Sequence, residues 1–381
     1  MDCRALFEKI DALNAAYIRV WEECCNLESP SLYKEGVDRV GDYFANLARG
    51  KGWQVDVLPL EEAGNAVCIT MNPDVQNRPV ALSGHMDTVH PVGSFGTPAV
   101  HMDEEKIYGP GVTDCKGGIV AAFLAMDALD QLGYRERPVQ LLLQSDEEVH
   151  SRISQQKSIR WICEKAKNAV AFLNAEPQDR GALRLQRKGV MGMEIRIKGK
   201  PYHAGQCYLG RSAIAAAAQL IGEIEAFKDP EGITCNVGTI QGGTAANVVP
   251  EHCSFLVDIR YTCEEERKKI AAAMEEIVSH VAEGCEAEII SRGWRPAMEA
   301  CERNDALLEK INEIFAGAGL PLAKRSTGNG GSDAADVTVY GIPCVDCLGT
   351  VGGKIHTLDE YGEISSLAEA AKQMAVIVSH L

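Results

Sequence analysis

A chain of 381 residues with 46% hydrophobic and 24% charged residues has the balance of a soluble globular protein, with core enough for one large domain or two ordinary ones. Its formal net charge of −16 argues against nucleic acid or an anionic membrane as the main partner, because both are held by basic surface. No run of about 18 apolar residues occurs, so no membrane-spanning helix is expected. The opening Met1–Lys9 mixes charges where a signal peptide has an apolar core, so the fourteen cysteines are expected as free thiols in a reducing cytosol.

The residues Asp2–Cys25 and Leu32–Lys51 carry apolar positions at helical spacing, and Ser29-Pro30 between them stops a helix. Strand-like runs follow at Trp53–Leu58, Ala66–Met71, Val80–Ser83, Val139–Gln144 and Ala169–Leu173, with a helix over Gly117–Leu132. The runs Val80–Ser83 and Val139–Gln144 are almost continuously apolar, as strands covered on both faces are. Strands alternating with helices predict an α/β domain on a largely parallel sheet.

The pattern changes near Arg187. Gly192–Lys198 alternates Met193, Ile195 and Ile197 with Glu194, Arg196 and Lys198, the mark of a sheet with one wet face. A helix over Ala213–Phe227, strands over Thr234–Gln241 and Cys253–Ile259, a helix over Glu264–Ala282 and a strand over Ala287–Ile290 complete a β-α-β-β-α-β order, which is ferredoxin-like. From about Pro296 the α/β pattern returns and closes with a helix over Ile364–Leu381. The expected architecture is an α/β domain in two parts, residues 1–186 and 296–381, interrupted by an α+β domain over 187–295.

Histidine and acidic residues stand where the predicted strands end. His85 and Asp87 follow Val80–Ser83; at i and i+2 of an extended segment they point to one side, and a carboxylate so placed can orient a metal-bound imidazole. Asp114 lies in a glycine-rich turn that opens a helix, Asp146-Glu147-Glu148 closes Val139–Gln144, and Glu176 follows Ala169–Leu173. His356 stands before the last helix. Each has a plain structural reading taken singly: a strand-end turn for His85-x-Asp87, a helix cap for Asp114, a solvated turn for the acidic run, a loop for Glu176 and a surface position for His356. Together they supply the donor types of a zinc-type site at the strand ends where α/β sheets bind ligands.

The ordered segments Ser83-Gly84-His85-Met86-Asp87-Thr88-Val89, Asp114-Cys115-Lys116-Gly117-Gly118, Asp146-Glu147-Glu148, Ala175-Glu176-Pro177, His203-Ala204-Gly205 and His356 resemble the co-catalytic zinc aminoacylase and carboxypeptidase family. That family includes glutamate carboxypeptidase, acetylornithine deacetylase and succinyl-diaminopimelate desuccinylase, and the resemblance spans almost the whole chain. It implies a mostly parallel-sheet zinc-hydrolase domain with an inserted lid and dimerisation domain. It further implies two Zn2+ bridged by Asp114, one also held by His85 and Glu176, the other by Glu148 and His356. Glu147 would be the general base and Asp87 the residue orienting His85. Two divalent cations bring +4 against −3 from three carboxylates and −1 from a hydroxide, a neutral sum suited to a buried site.

The same resemblance gives His203 the stabilisation of the oxyanion from a partner subunit, hence a homodimer through the inserted domain. Asn247 and Arg260 would hold the substrate carboxylate, which the planar guanidinium grips with two hydrogen bonds. The plain alternatives are a hairpin-turn histidine for His203 and a strand-edge ion pair for Arg260. The loop Gly328–Asp333, with Gly330 at its centre, sits before a helix and resembles the family's substrate-terminus loop; it lacks the Gly-Lys-Ser/Thr ending of a phosphate loop, which argues against nucleotide. Cys115 reads as packing, and Cys344 and Cys347 as buried strand thiols. The implied activity is hydrolysis of an amide bond beside a free carboxylate, in a small peptide, by a carboxypeptidase of the glutamate-releasing type. A deacylase of N-acyl amino acids or metabolites is the alternative, and a non-catalytic peptide binder a further one. Carboxylate-rich sites accept cobalt and manganese as well as zinc.

Overall fold

The computed structural model describes residues 1–381, which fall into two compact units. The first comprises Met1–Leu185, Ala300–Thr327 and Ser332–Leu381; the second comprises Gln186–Glu299 and Gly328–Gly331. The second unit therefore runs past the expected end at 295. Beyond the last ladder pair, Arg187 and Met298 still exchange backbone hydrogen bonds of 3.1 and 3.0 Å, which carries the sheet onward. Gly328–Gly331, expected with the α/β domain, also belongs to the second unit.

The first unit is built on a six-stranded sheet in the spatial order Gln54–Leu58, Ala66–Met71, Val139–Gln144, Val80–His85, Ala171–Asn174, Cys344–Val345. The last four strands are mutually parallel, while Gln54–Leu58 and Ala66–Met71 add an antiparallel edge. All six residues of Val80–His85 are buried, as its nearly continuous apolar run and central place require. The helix Lys116–Gln131 is buried on nearly every side, packed by the helices Cys3–Asn26 and Ser366–His380. In Cys3–Asn26 the buried Leu6, Ile10, Tyr17, Trp21 and Cys24 recur at helical spacing, and Asp2 caps the start by accepting from Arg4 N at 3.1 Å. The helix Lys157–Ala166 has no counterpart in the sequence reading.

A small antiparallel sheet joins Gly352–Gly353, Tyr361–Glu363, Lys106–Tyr108 and His101–Met102. These strands are two or three residues long, too short to leave an alternating pattern in the sequence. By pairing Tyr361 with Tyr108 it lays the segment before Tyr361 beside the turn that follows Tyr108.

The second unit has the expected β-α-β-β-α-β order. Its antiparallel sheet runs Thr234–Gly242, His252–Tyr261, Gly189–Lys198, Glu286–Arg295, with the helices Ala213–Ile224 and Glu264–Ser279. Met193, Ile195 and Ile197 are buried in a core of its own with Phe255, Val257 and Ile259, while Arg196 and Lys198 are exposed.

Candidate metal centre

Parallel register brings the carboxyl ends of three strands together. His85 pairs with Gln144 and Ser83 with Asn174, so the residues that follow each strand emerge at one edge of the sheet. From that edge come His85 and Asp87, the short 3-10 turn Glu147–Val149, and Glu176. Asp114 arrives from the turn before the helix Lys116–Gln131. Gly118 in the first turn of that helix allows the approach: a Cβ there would stand 2.0 Å from the Ala175 carbonyl oxygen.

The two oxygens of Asp114 face different histidines. Its Oδ1 lies 3.1 Å from His85 Nε2, and its Oδ2 lies 3.3 Å from His356 Nε2. His85 Nε2 is also 3.7 Å from Glu176 Oε1, and His356 Nε2 is 3.1 Å from Glu148 Oε2. Candidate ligand atoms of His85, Asp114 and Glu148 all lie within 4.8 Å of one another. His85 is buried, whereas the His356 side chain is 53% exposed and stands at the rim. The ion-pair partners of Asp114 and Glu148 are histidines rather than lysine or arginine. This is a donor set of imidazole and carboxylate, and it fits divalent cations.

The buried supports of the site are polar and satisfied. His85 Nδ1 is 3.0 Å from the backbone oxygen of Asp87 and 3.5 Å from its Oδ1. The Asp87 carbonyl thus makes the closer contact, its carboxylate the longer one, and Nδ1–H donating to Asp87 turns Nε2 toward Asp114. The Asp87 carboxylate also accepts from Glu147 N at 3.0 Å, Glu148 N at 3.1 Å and the Ser31 hydroxyl at 2.6 Å. Asp146 is fully buried and accepts from Ser154 N at 2.8 Å and from the Ser158 hydroxyl at 2.5 Å. Ser31, Ser154 and Ser158 escaped the sequence reading because an isolated serine carries no pattern. Cys115 Sγ accepts from His85 N at 3.0 Å, and burial pushes its thiol up to about 12. The Cys344 and Cys347 thiols are buried.

Protonation reports the density of acid. Burial pushes the Glu148 carboxyl up to about 8, despite the hydrogen bond from His356. Hydrogen bonds to Asp114 and Glu148 push His356 up to about 10. Burial disfavours the His85 imidazolium, but Cys115, Asp114 and Asp87 outweigh it and hold its pKa well above the usual range. Asp114 is kept well below the usual carboxylate range: burial opposes this, and hydrogen bonds from His356 and His85 prevail. Without a cation, protons on imidazole supply the positive charge that the cluster calls for.

The remaining candidates lie in the second unit. His203 is exposed, and its Nδ1 accepts from Gly205 N at 3.1 Å. Asn247 is exposed, and its carbonyl accepts from Ala204 N at 3.0 Å, so the His203 and Asn247 turns run side by side. Arg260 donates to Asp258 through Nε at 2.7 Å and Nη2 at 3.0 Å, a pair within one strand. Gly330 is exposed, with its carbonyl 3.4 Å from Arg187 Nη1.

Residues 185–286 match the peptidase dimerisation domain. Across 99% of this chain and 92% of that protein, the sequence is 27% identical to carboxypeptidase G2 of Pseudomonas sp. strain RS-16. The chain is thus similar along nearly its whole length to a carboxypeptidase. Succinyl-diaminopimelate desuccinylase of Wolinella succinogenes is 26% identical, over 73% of this chain and 78% of that one. Among solved structures, the fold matches the M20 metallo-carboxypeptidase Sso-CP2 of Sulfolobus solfataricus with a TM-score of 0.78 at 17% identity, covering 96% of this chain and 98% of that one. It also matches a tripeptidase of Staphylococcus aureus with a TM-score of 0.79 at 22% identity, covering 95% and 97%. The relatives so named are peptidases and a desuccinylase, and no helix in this chain is long and apolar enough to cross a membrane.

Proposed function

We propose that this chain is a dinuclear zinc carboxypeptidase that cleaves an amide bond beside a free carboxylate. The observation that carries the reading is the placement of Asp114, whose two oxygens face His85 and His356 separately. Asp114 would bridge two ions, one completed by His85 and Glu176 and the other by Glu148 and His356. Cations held there would supply Lewis acidity, polarising the scissile carbonyl and lowering the pKa of water. Glu147 adjoins the ligand Glu148 but is not itself in the donor set, so it would take the proton of the attacking water and pass it to the departing amine. Asp87 would hold both acids in place through their backbone N–H groups.

In the second unit, Gly205 N donating to His203 Nδ1 places the proton of the neutral ring on Nε2. Nε2–H would then donate to the developing oxyanion of a substrate bound by a second copy of the chain, making the active species a homodimer. Asn247, Arg260 and Gly330 would hold the substrate carboxylate, with Asp258 keeping the guanidinium extended along its strand. Similarity to carboxypeptidase G2 along the chain supports the carboxypeptidase reading, for which we propose a glutamate-releasing specificity. Similarity to a desuccinylase supports the second reading, an N-acyl-amino-acid deacylase.

Zinc analysis combined with Glu147→Gln tests the chemistry. The variant should keep its metal and fold but lose hydrolysis by about 100-fold or more, the usual worth of a general base. Full activity with metal bound would show that Glu147 is not the base. A panel of dipeptides, folyl-type amides and acyl-amino acids separates the two specificities.

A further inference from the structure

Glu360 is a buried acid whose side chain meets the turn carrying Asp114. Its Oε1 accepts from Thr113 N at 3.0 Å and Asp114 N at 3.1 Å, and its Oε2 accepts from Gly111 N at 3.3 Å. His90 Nε2 stands 3.6 Å from Oε2. The same turn is tied by backbone: Gly109 N donates to the Glu360 carbonyl at 3.3 Å, and the Thr113 hydroxyl donates to the Tyr361 carbonyl at 2.7 Å. Four residues before Glu360 comes His356, whose Nε2 meets Asp114 Oδ2. One side chain therefore fastens the turn carrying Asp114 to the segment carrying His356.

We propose that Glu360 is a positioning residue that locks the Asp114 turn to the His356 segment and thereby sets the cation affinity of the centre. The proposal rests on the reading of that centre as a cation site. An acid is needed because both ends of the side chain act as acceptors; an amide offers one acceptor and turns a donor against a backbone N–H. An unsatisfied buried N–H next to Asp114 would let the bridging carboxylate drift from the two histidines. The negative charge also stands behind the cluster and favours bound cations.

The test is Zn2+ affinity, measured by competition with a fluorescent chelator on metal-free wild type and on Glu360→Gln. We expect Glu360→Gln to bind Zn2+ about 10- to 100-fold more weakly, the usual effect of losing a residue that orients metal ligands, with circular dichroism unchanged. Tyr17→Phe removes a buried 2.8 Å hydrogen bond to Asp127 elsewhere in the unit. It should lower the melting temperature and leave affinity unchanged, which separates positioning from general stability. Wild-type affinity in Glu360→Gln overturns the proposal. If Glu360→Gln does not fold, Glu360→Asp keeps two acceptors on a shorter stem; an affinity below wild type supports the proposal and an equal one overturns it. Failure of wild type itself to bind Zn2+ overturns the underlying site reading instead.

Discussion

His85, Asp114, Glu148 and His356 show how a cluster of acids prepares for a cation. In the metal-free protein His356 is raised to about 10 and Glu148 to about 8, and His85 moves the same way. A group whose folded pKa exceeds its unfolded value contributes stability that is complete below the unfolded value and is lost as pH rises through the folded one. The melting temperature of metal-free protein should therefore fall between about pH 6.5, the ordinary histidine value, and pH 10. Saturating Zn2+ should flatten that slope, because binding displaces the same protons. A melting temperature that rises over that interval would contradict the protonation pattern. His85-x-Asp87 was legible as a unit because its spacing is local. The division of labour in Asp87 was not: its carbonyl meets the imidazole, and its carboxylate grips Glu147 N and Glu148 N.

The element that decides the geometry of the site is the start of the helix Lys116–Gln131, wedged against the Ala175 carbonyl at Gly118. Gly118→Ala adds a methyl where no space exists, so the helix start must shift. The expected cost is about 1–3 kcal/mol, the range for overpacking a closed site, read by denaturant unfolding; weaker Zn2+ binding should accompany it. Unchanged stability would mean that the strand end yields instead. The main strands and helices were legible because burial on both faces leaves long apolar runs and one-sided helices leave a 3.6-residue period. The antiparallel edge was not, since pairing direction depends on how the chain returns rather than on composition. The two-residue strands that bring Glu360 to the Asp114 turn left no periodic trace either.

At the scale of the whole molecule, the chain carries two cores, and the second unit carries His203 on an exposed turn. If His203 serves the site of a second copy, His203→Ala and Glu147→Gln are each inactive alone, yet mixed dimers hold one intact combination of the two residues. Exchanging subunits between these variants should restore part of the activity, and sedimentation should find active protein at dimer mass. No recovery on proven exchange, or a fully active monomer, would defeat the assembly.

By itself the sequence determined the candidate donors: two imidazoles and three carboxylates, set at or beside strand ends by apolar runs that stop there, and an interrupting segment with its own alternation. Only the tertiary structure decided which oxygen of Asp114 meets which histidine, what holds the Glu147–Glu148 turn, and that Glu360 fastens Asp114 to the segment of His356. The reason is physical. Side-chain periodicity is written within a few residues, whereas a buried acceptor is matched to backbone donors by the close approach of segments distant along the chain.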